Sequence, residues 1–205
     1  MYIANRTEGR PGAPLLLTFH GTGGDEHQFH GLGQQILPEA HIRSPRGDVS
    51  EMGHARFFRR TGEGVYDMDD LAKRTAMMAA FIADEKARTG ADRVLGLGYS
   101  NGANILASVA LSQPDLVDDL VLLHPLIPWV PEPQPGLAGR RILITAGERD
   151  PICPPAQTQA LVDYLTAQGA LVETLWHPGG HEIAQAEIQR AAEALQAELP
   201  PVAAL

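Results

Sequence analysis

The stretch Leu95-Gly96-Leu97-Gly98-Tyr99-Ser100-Asn101-Gly102-Ala103-Asn104-Ile105 decides how the chain is read. An apolar run rises into Gly98-Tyr99-Ser100-Asn101-Gly102. A helix-period run of small and apolar residues then leaves it, with Ala103, Ile105, Leu106, Val109 and Ala110. This is a G-x-S-x-G nucleophile elbow with a strand before it and a helix after it. Glycines two before and two after the serine remove side chains that would collide in so tight a turn. The serine oxygen is then held up at the carboxyl edge of a sheet. The N–H of Asn101 and the helix N-terminus face the point where negative charge would develop. The bare pentapeptide also suits a plain Gly-Ser turn, so the rest of the chain has to decide.

Upstream, Leu15-Leu16-Leu17-Thr18-Phe19 is continuously apolar, as a buried parallel strand is. It ends in His20-Gly21-Thr22-Gly23-Gly24-Asp25, a turn that lacks the lysine and spacing of a phosphate loop. Beside an elbow it reads as the other half of an oxyanion hole, with the Thr22 N–H as second donor and His20 structural. His41-Ile42-Arg43-Ser44, closed by Pro45, is a weaker strand, and residues 53–60 read as irregular. Asp69 or Asp70 caps a predicted helix running to about Thr89, with Gly90 as its stop.

Downstream, strands are predicted at Arg93 to Tyr99, Leu120 to His124, Ile142 to Ala146 and Leu171 to Trp176. Helices are predicted after Ser100, from about Pro155 to Gln168, and at the end, where Ile188, Ala192, Leu195 and Leu199 form one stripe. This alternation implies one α/β domain over residues 1–205, with a mainly parallel sheet, helices on both faces and no room for a large cap. In such sheets chemistry gathers at the carboxyl ends of strands. The segments at His20, Ser100, Asp150 and His181 all fall there, and Ser, Asp, His is the chain order of an α/β-hydrolase triad. His181 follows two glycines in a loop that can reach inward, whereas its rival His177 ends a strand. Glu148 competes with Asp150 as the acid. His54 and His124 have no nameable partner and default to structure or pocket lining.

The chain has 205 residues, 44% of them hydrophobic and 20% charged, enough for one well-filled core. A net charge of -9 argues against nucleic-acid or anionic-membrane partners. One cysteine, Cys153, excludes an internal disulfide framework. No stretch approaches the ~20 apolar residues of a membrane span, and no signal-peptide pattern opens the chain, so a cytoplasmic protein is expected. The histidines form no ligand-spaced cluster such as H-E-x-x-H, so no metal is expected, and Cys153 does not occupy the nucleophile position.

The turn His20 to Glu26, Ser44-Pro45-Arg46-Gly47, Arg56-Phe57-Phe58-Arg59-Arg60, the elbow Gly98 to Asn104, Asp150-Pro151-Ile152-Cys153-Pro154 and Gly180-His181 together resemble a known family. It is the small α/β-hydrolases of the phospholipase/carboxylesterase group, relatives of acyl-protein thioesterases, in the bacterial branch linked to hydroquinone response. Cys153 departs from that pattern, since many relatives carry an aliphatic residue there. The resemblance implies hydrolysis of small-molecule carboxylic esters without a cofactor and, often, a homodimer. It selects Asp150 as the acid, beside Ser100 as nucleophile and His181 as base.

An acyl thioesterase and a non-catalytic ligand-binding module are the alternatives. Arg56, Phe57 and Trp129 are the candidate substrate contacts, with Phe57 as an apolar wall and an arginine gripping a substrate carboxylate. Otherwise Arg56, Arg59 and Arg60 are surface groups paired with carboxylates, including Asp67, Asp69 and Asp70.

Overall fold

A computed structural model describes residues 2–197. In chain order the strands are β1 (Ala4–Thr7), β2 (Leu15–Phe19), β3 (His41–Pro45), β4 (Val49–Glu51), β5 (His54–Arg56), β6 (Arg60–Gly62), β7 (Val65–Tyr66), β8 (Val94–Tyr99), β9 (Asp119–Leu123), β10 (Arg141–Gly147) and β11 (Leu171–His177). The α-helices are α1 (His30–Ile36), α2 (Met68–Thr89), α3 (Asn101–Ser112), α4 (Pro155–Ala167) and α5 (Gln185–Gln196). Seven strands form the central sheet in the order β1-β3-β2-β8-β9-β10-β11. Only β1 runs antiparallel to its neighbour.

The period of two along the strands divides the core into two layers. Leu15, Leu17 and Phe19 of β2 face one way, with Leu120 and Leu122 of β9, and pack on α2, α3 and α4. Leu16, Leu95, Leu97, Val121 and Leu123 face the other way and pack on α1 and α5. The elbow strand and α3 lie in the middle, so Ser100 sits over the centre of the sheet. Among the described residues no helix is long and apolar enough to cross a membrane.

The structure differs from the sequence reading in three places. The segment 53–60 belongs to two small hairpins, β4–β5 and β6–β7. Their turns use Met52-Gly53 and Glu63-Gly64, with positive φ at Met52, Gly53 and Gly64, a chemistry that two-residue loops favour. Secondly, α2 is capped by Asp67, whose carboxylate accepts the Asp70 N–H at 3.1 Å, rather than by Asp69 or Asp70. Asp70 turns inward and accepts the Arg59 N–H at 2.8 Å. Thirdly, β1 and α1 carry too little periodicity to be read from sequence. Leu199, the last residue of the expected stripe, lies outside the described residues.

A buried ion network fastens α2 to the β3 edge of the sheet. Glu85 of α2 receives Arg43 Nε at 2.7 Å and Arg6 Nη2 at 2.7 Å, and both Glu85 and Arg43 are almost wholly buried. Burial opposes ionisation of Glu85, but the Arg6 and Arg43 hydrogen bonds outweigh it and hold its carboxyl below the usual range. Glu85→Ala is expected to cost about 2–3 kcal/mol, because it leaves the buried Arg43 Nε without an acceptor and frees Arg6, although Glu8 still holds Arg43 Nη2 at 2.8 Å; urea unfolding measures this. The folded carboxyl titrates lower than the unfolded one. Its contribution is therefore present above the ordinary carboxylate range and is lost as pH falls through the depressed value.

Candidate active site

Ser100 stands between β8 and α3 with φ 51 and ψ -117, a conformation that non-glycine residues rarely adopt. A Cβ on Gly102 would lie 2.4 Å from the His20 carbonyl oxygen, and one on Gly98 would lie 2.7 Å from the Ala103 nitrogen. Only glycine therefore lets the elbow pass between the oxyanion turn and its own helix. The Ser100 N–H is fixed on the Leu123 carbonyl at 2.8 Å.

His181 Nε2 lies 2.9 Å from Ser100 Oγ, and His181 Nδ1 lies 2.7 Å from Asp150 Oδ2. The loop after β11 reaches this position because Gly147 has no side chain: a Cβ there would sit 1.9 Å from the Gly180 oxygen. The Tyr99 hydroxyl donates to the His181 carbonyl at 2.7 Å and anchors the same loop. Asp150 Oδ1 accepts the Ile152 and Cys153 N–H groups at 2.8 and 2.9 Å. Burial opposes ionisation of Asp150, but these donors and the two imidazoles beside it hold its carboxyl below the usual range. With the Nδ1–H donated to Asp150 Oδ2, His181 Nε2 is left as an acceptor for the Ser100 hydroxyl.

The rivals lie elsewhere. Glu148 is on the surface. His177 accepts the Gly179 N–H at Nδ1 and faces Glu187 with Nε2, at 3.4 Å. His20 is buried, with Nδ1 2.7 Å from the Gly21 carbonyl and Nε2 accepting the Gly47 N–H at 2.9 Å. It shapes the turn and has no contact with Ser100. Burial lowers its pKa and keeps it neutral.

The Thr22 turn is pinned at both sides, by the Gly21 N–H on Gln28 Oε1 at 2.9 Å and the Gly23 N–H on the Ala55 carbonyl at 3.0 Å. The N–H groups of Thr22 and of Asn101, first residue of α3, have no acceptor among the described residues. Both residues line one cavity of about 300 Å³ together with Ser100 and His181. A larger hollow of about 480 Å³, by Asp119, Arg141 and Ala197, lies at the amino ends of the strands, away from Ser100.

Of the expected wall residues, Arg56 lines the cavity, and Phe57 and Trp129 do not. Phe57 is fully buried behind it, against Phe19 and His20, and gives its N–H to Asn101 Oδ1 at 2.7 Å. Trp129 lines a separate groove with Met68 and Leu111. The apolar lining comes instead from Tyr66 and Leu126, with Tyr99, Ile152 and Cys153 beside Ser100 and Asp150, and sequence reasoning missed Tyr66 and Leu126 as wall residues. Asn104 binds both, donating to Tyr66 Oη at 2.8 Å and accepting the Leu126 N–H at 2.7 Å. A polar residue on the buried face of the elbow helix was the available signal.

The arginine segment also separates. Arg59 is exposed and pairs with Asp70 at 3.5 Å. Arg60 is held by Glu51 at 2.9 Å and Glu63 at 2.8 Å. Arg56, 4% exposed, donates to Thr22 Oγ1 at 2.7 Å and lies 3.6 Å from Glu51. Its first effect is to brace the oxyanion turn. The partners are therefore Glu51, Glu63 and Asp70, and neither Asp67 nor Asp69 takes part.

His124, without a nameable partner in the sequence, touches Asp150 directly: its Nδ1 lies 3.0 Å from Asp150 Oδ2. Its Nε2 faces Glu187 Oε1 at 2.9 Å. By spacing alone, His124 with Asp150 and His181, or with His177 and Glu187, could surround a cation. Their protons do not suit one. Each His–carboxylate contact of the first trio has hydrogen-bond length, and His177 Nδ1 is an acceptor, which leaves its proton on the Nε2 that would have to bind metal.

Residues 51–199 match the dienelactone hydrolase family. MhqD of Bacillus subtilis is 42% identical over 182 residues, 87% of this chain and 90% of that protein. A protein of unknown function from Agrobacterium tumefaciens, Atu2452, has a crystal structure with a TM-score of 0.89 and 56% identity over 95% of each chain. The crystal structure of a Bacillus cereus carboxylesterase has the same TM-score, 0.89, at 36% identity, covering 94% of this chain and 92% of that one. With the elbow, the mainly parallel sheet and the absence of a large cap, these likenesses make the chain an α/β-hydrolase and a member of the dienelactone hydrolase family.

Proposed function

We propose that the protein is a serine carboxylesterase acting on small or aromatic esters through an acyl-enzyme. The observation that carries this reading is the continuous contact from Ser100 Oγ to His181 Nε2 and from His181 Nδ1 to Asp150. Ser100 Oγ attacks the ester carbonyl carbon while His181 Nε2 takes its proton. The carbonyl oxygen becomes an oxyanion and is received by the N–H groups of Thr22 and Asn101. Collapse of this intermediate breaks the carbon–oxygen bond, and His181 returns the proton to the leaving alcohol. Water, deprotonated by His181, then releases the acid and restores Ser100. Asp150 holds the ring and stabilises its charged form.

The size of the cavity supports a small acyl or aryl group, at the lower end of ligand sites. Its arginines are matched by Glu51 and Glu63, which favours neutral esters over the carboxylate-bearing ones that free arginines would select. Acetyl and butyryl phenyl esters are expected to exceed palmitoyl esters in kcat/KM by more than tenfold. A steady rise with chain length would overturn the substrate assignment. The mechanism is tested with a fluorophosphonate probe, which should add its mass to the peptide containing Ser100. Label on any other peptide would remove Ser100 from its role. Matched thioesters in the same panel separate esterase from thioesterase.

A further inference from the structure

The chain of charge behind Ser100 does not end at Asp150. His124 directly follows β9 with φ 51, and the side chains of His124, Asp150 and Glu187 are wholly buried. One oxygen, Asp150 Oδ2, faces Nδ1 of both His124 and His181, and the two rings have centroids 5.2 Å apart. On the far side His124 Nε2 meets Glu187 Oε1 at 2.9 Å, as an ion pair lying off the ideal hydrogen-bond line. Glu187 Oε2 accepts the Ala184 N–H at 2.5 Å.

A bare imidazole nitrogen and a carboxylate oxygen would repel at 2.9 Å, so one of the two groups carries a proton. Burial disfavours a cation at His124, but its bonds to Glu187 and Asp150 outweigh this and raise its pKa. Burial also opposes ionisation of Glu187, yet His124 and the other donors hold its carboxyl below the usual range. Both directions put the proton on His124.

The surrounding groups do not replace it. The Tyr99 ring lies against both histidines, its hydroxyl pushed up to about 12 by burial and so neutral. The Cys153 thiol, also raised by burial, donates to the His124 carbonyl. His177 packs on the His124 ring and approaches Glu187 from the other side. Glu182 is spent on the Gly180 N–H at the surface.

We propose that His124 and Glu187 are positioning residues of the hydrolytic site: a buried imidazolium, fixed by Glu187, clamps Asp150 and opposes a second positive charge on His181. The inference rests on the Ser100–His181 reading given above. It explains why a histidine stands in a strained backbone position beneath the acid, where an apolar residue would fill the space.

The variants are His124→Gln, which keeps a neutral donor near Asp150, and Glu187→Gln, whose amide can donate to Nε2 and leave His124 neutral. In each, the acid limb of the kcat/KM profile on a phenyl ester should move to higher pH by about one unit, the usual effect of one nearby charge. The double variant should move no further than either single one. A merely structural role would lower thermal stability and leave the limb in place, and that result overturns the proposal. Nitrogen-15 NMR of the unmodified protein decides the matter even where a variant fails to fold. His124 should carry protons on both nitrogens at pH 7, and a bare nitrogen there overturns the proposal. Failure of the Ser100 reading would appear separately, as fluorophosphonate label missing from Ser100, and would not alter the NMR result.

Discussion

Replacing Ser100 by Ala is expected to lower kcat by about 10⁴-fold or more and to abolish fluorophosphonate labelling. The hydroxyl is the only group of that side chain with a partner, His181 Nε2 at 2.9 Å, so its loss removes the attacking atom and little else. The backbone at φ 51 suits Ala no worse than Ser, and Gly98 and Gly102 still permit the turn. Stability should therefore change by no more than about 1 kcal/mol, the usual net worth of the one hydrogen bond lost. Residual catalysis above the uncatalysed rate would come from the Thr22 and Asn101 N–H groups, which the substitution leaves in place. A Ser100→Ala protein that still turns over acetyl esters near the original rate would place the nucleophile elsewhere. Thermal melting of the same sample shows that the loss is chemical.

Asp150→Asn should cost on the order of 10⁴ in kcat, and here, unlike Ser100→Ala, it should also cost stability. Four donors converge on this carboxylate: the N–H groups of Ile152 and Cys153 on one oxygen, and Nδ1 of His181 and His124 on the other. An asparagine has one acceptor oxygen and one NH₂ group, so two of the four donors must face another donor. If the NH₂ turns toward the imidazoles, His181 Nδ1 becomes an acceptor and the proton moves to Nε2, where it blocks transfer from Ser100. If it turns toward the backbone, two buried N–H groups lose their partner, at about 1–3 kcal/mol each. Urea unfolding and steady-state kinetics on one preparation measure both effects. Glu148→Gln is the control: its side chain is at the surface, and the variant should behave as the parent. A crippled Glu148→Gln beside an active Asp150→Asn would reverse the assignment of the acid.

The parts legible in the sequence are those with local physical signatures. The β2 run, the Gly-rich turn after it and the glycines flanking Ser100 each need particular residue types at fixed spacing, and each stands where it was expected. The Asp67 cap was misplaced by two or three positions because Asp67, Asp69 and Asp70 all have a carboxylate able to cap. Only packing shows that Asp70 turns inward to Arg59. Phe57 illustrates the opposite limit. An aromatic residue in a segment with three arginines reads as a pocket wall, but whether it faces the cavity or the core depends on how the link between β5 and β6 packs, which five residues do not encode. Tyr66, Leu126, His124 and Glu187 were out of reach for the same reason: their partners lie 22 to 63 residues away in the chain or arrive from other elements.

Two parts of the cavity wall, Tyr66 and Leu126, are built apart from Ser100, Asp150 and His181. Tyr66 belongs to the small β6–β7 hairpin and Leu126 to the loop after β9, and both are tied to the elbow helix through Asn104. None of these three supplies a reacting atom. Descent with modification can therefore work on the hairpin and the loop, altering which acyl group is admitted, while Ser100, Asp150 and His181 stay under unbroken selection. Asn104 marks the limit of that freedom. A lineage that changes it gives up both wall segments at once, so new specificities should arise by exchange at Tyr66 and Leu126 long before Asn104 itself is replaced.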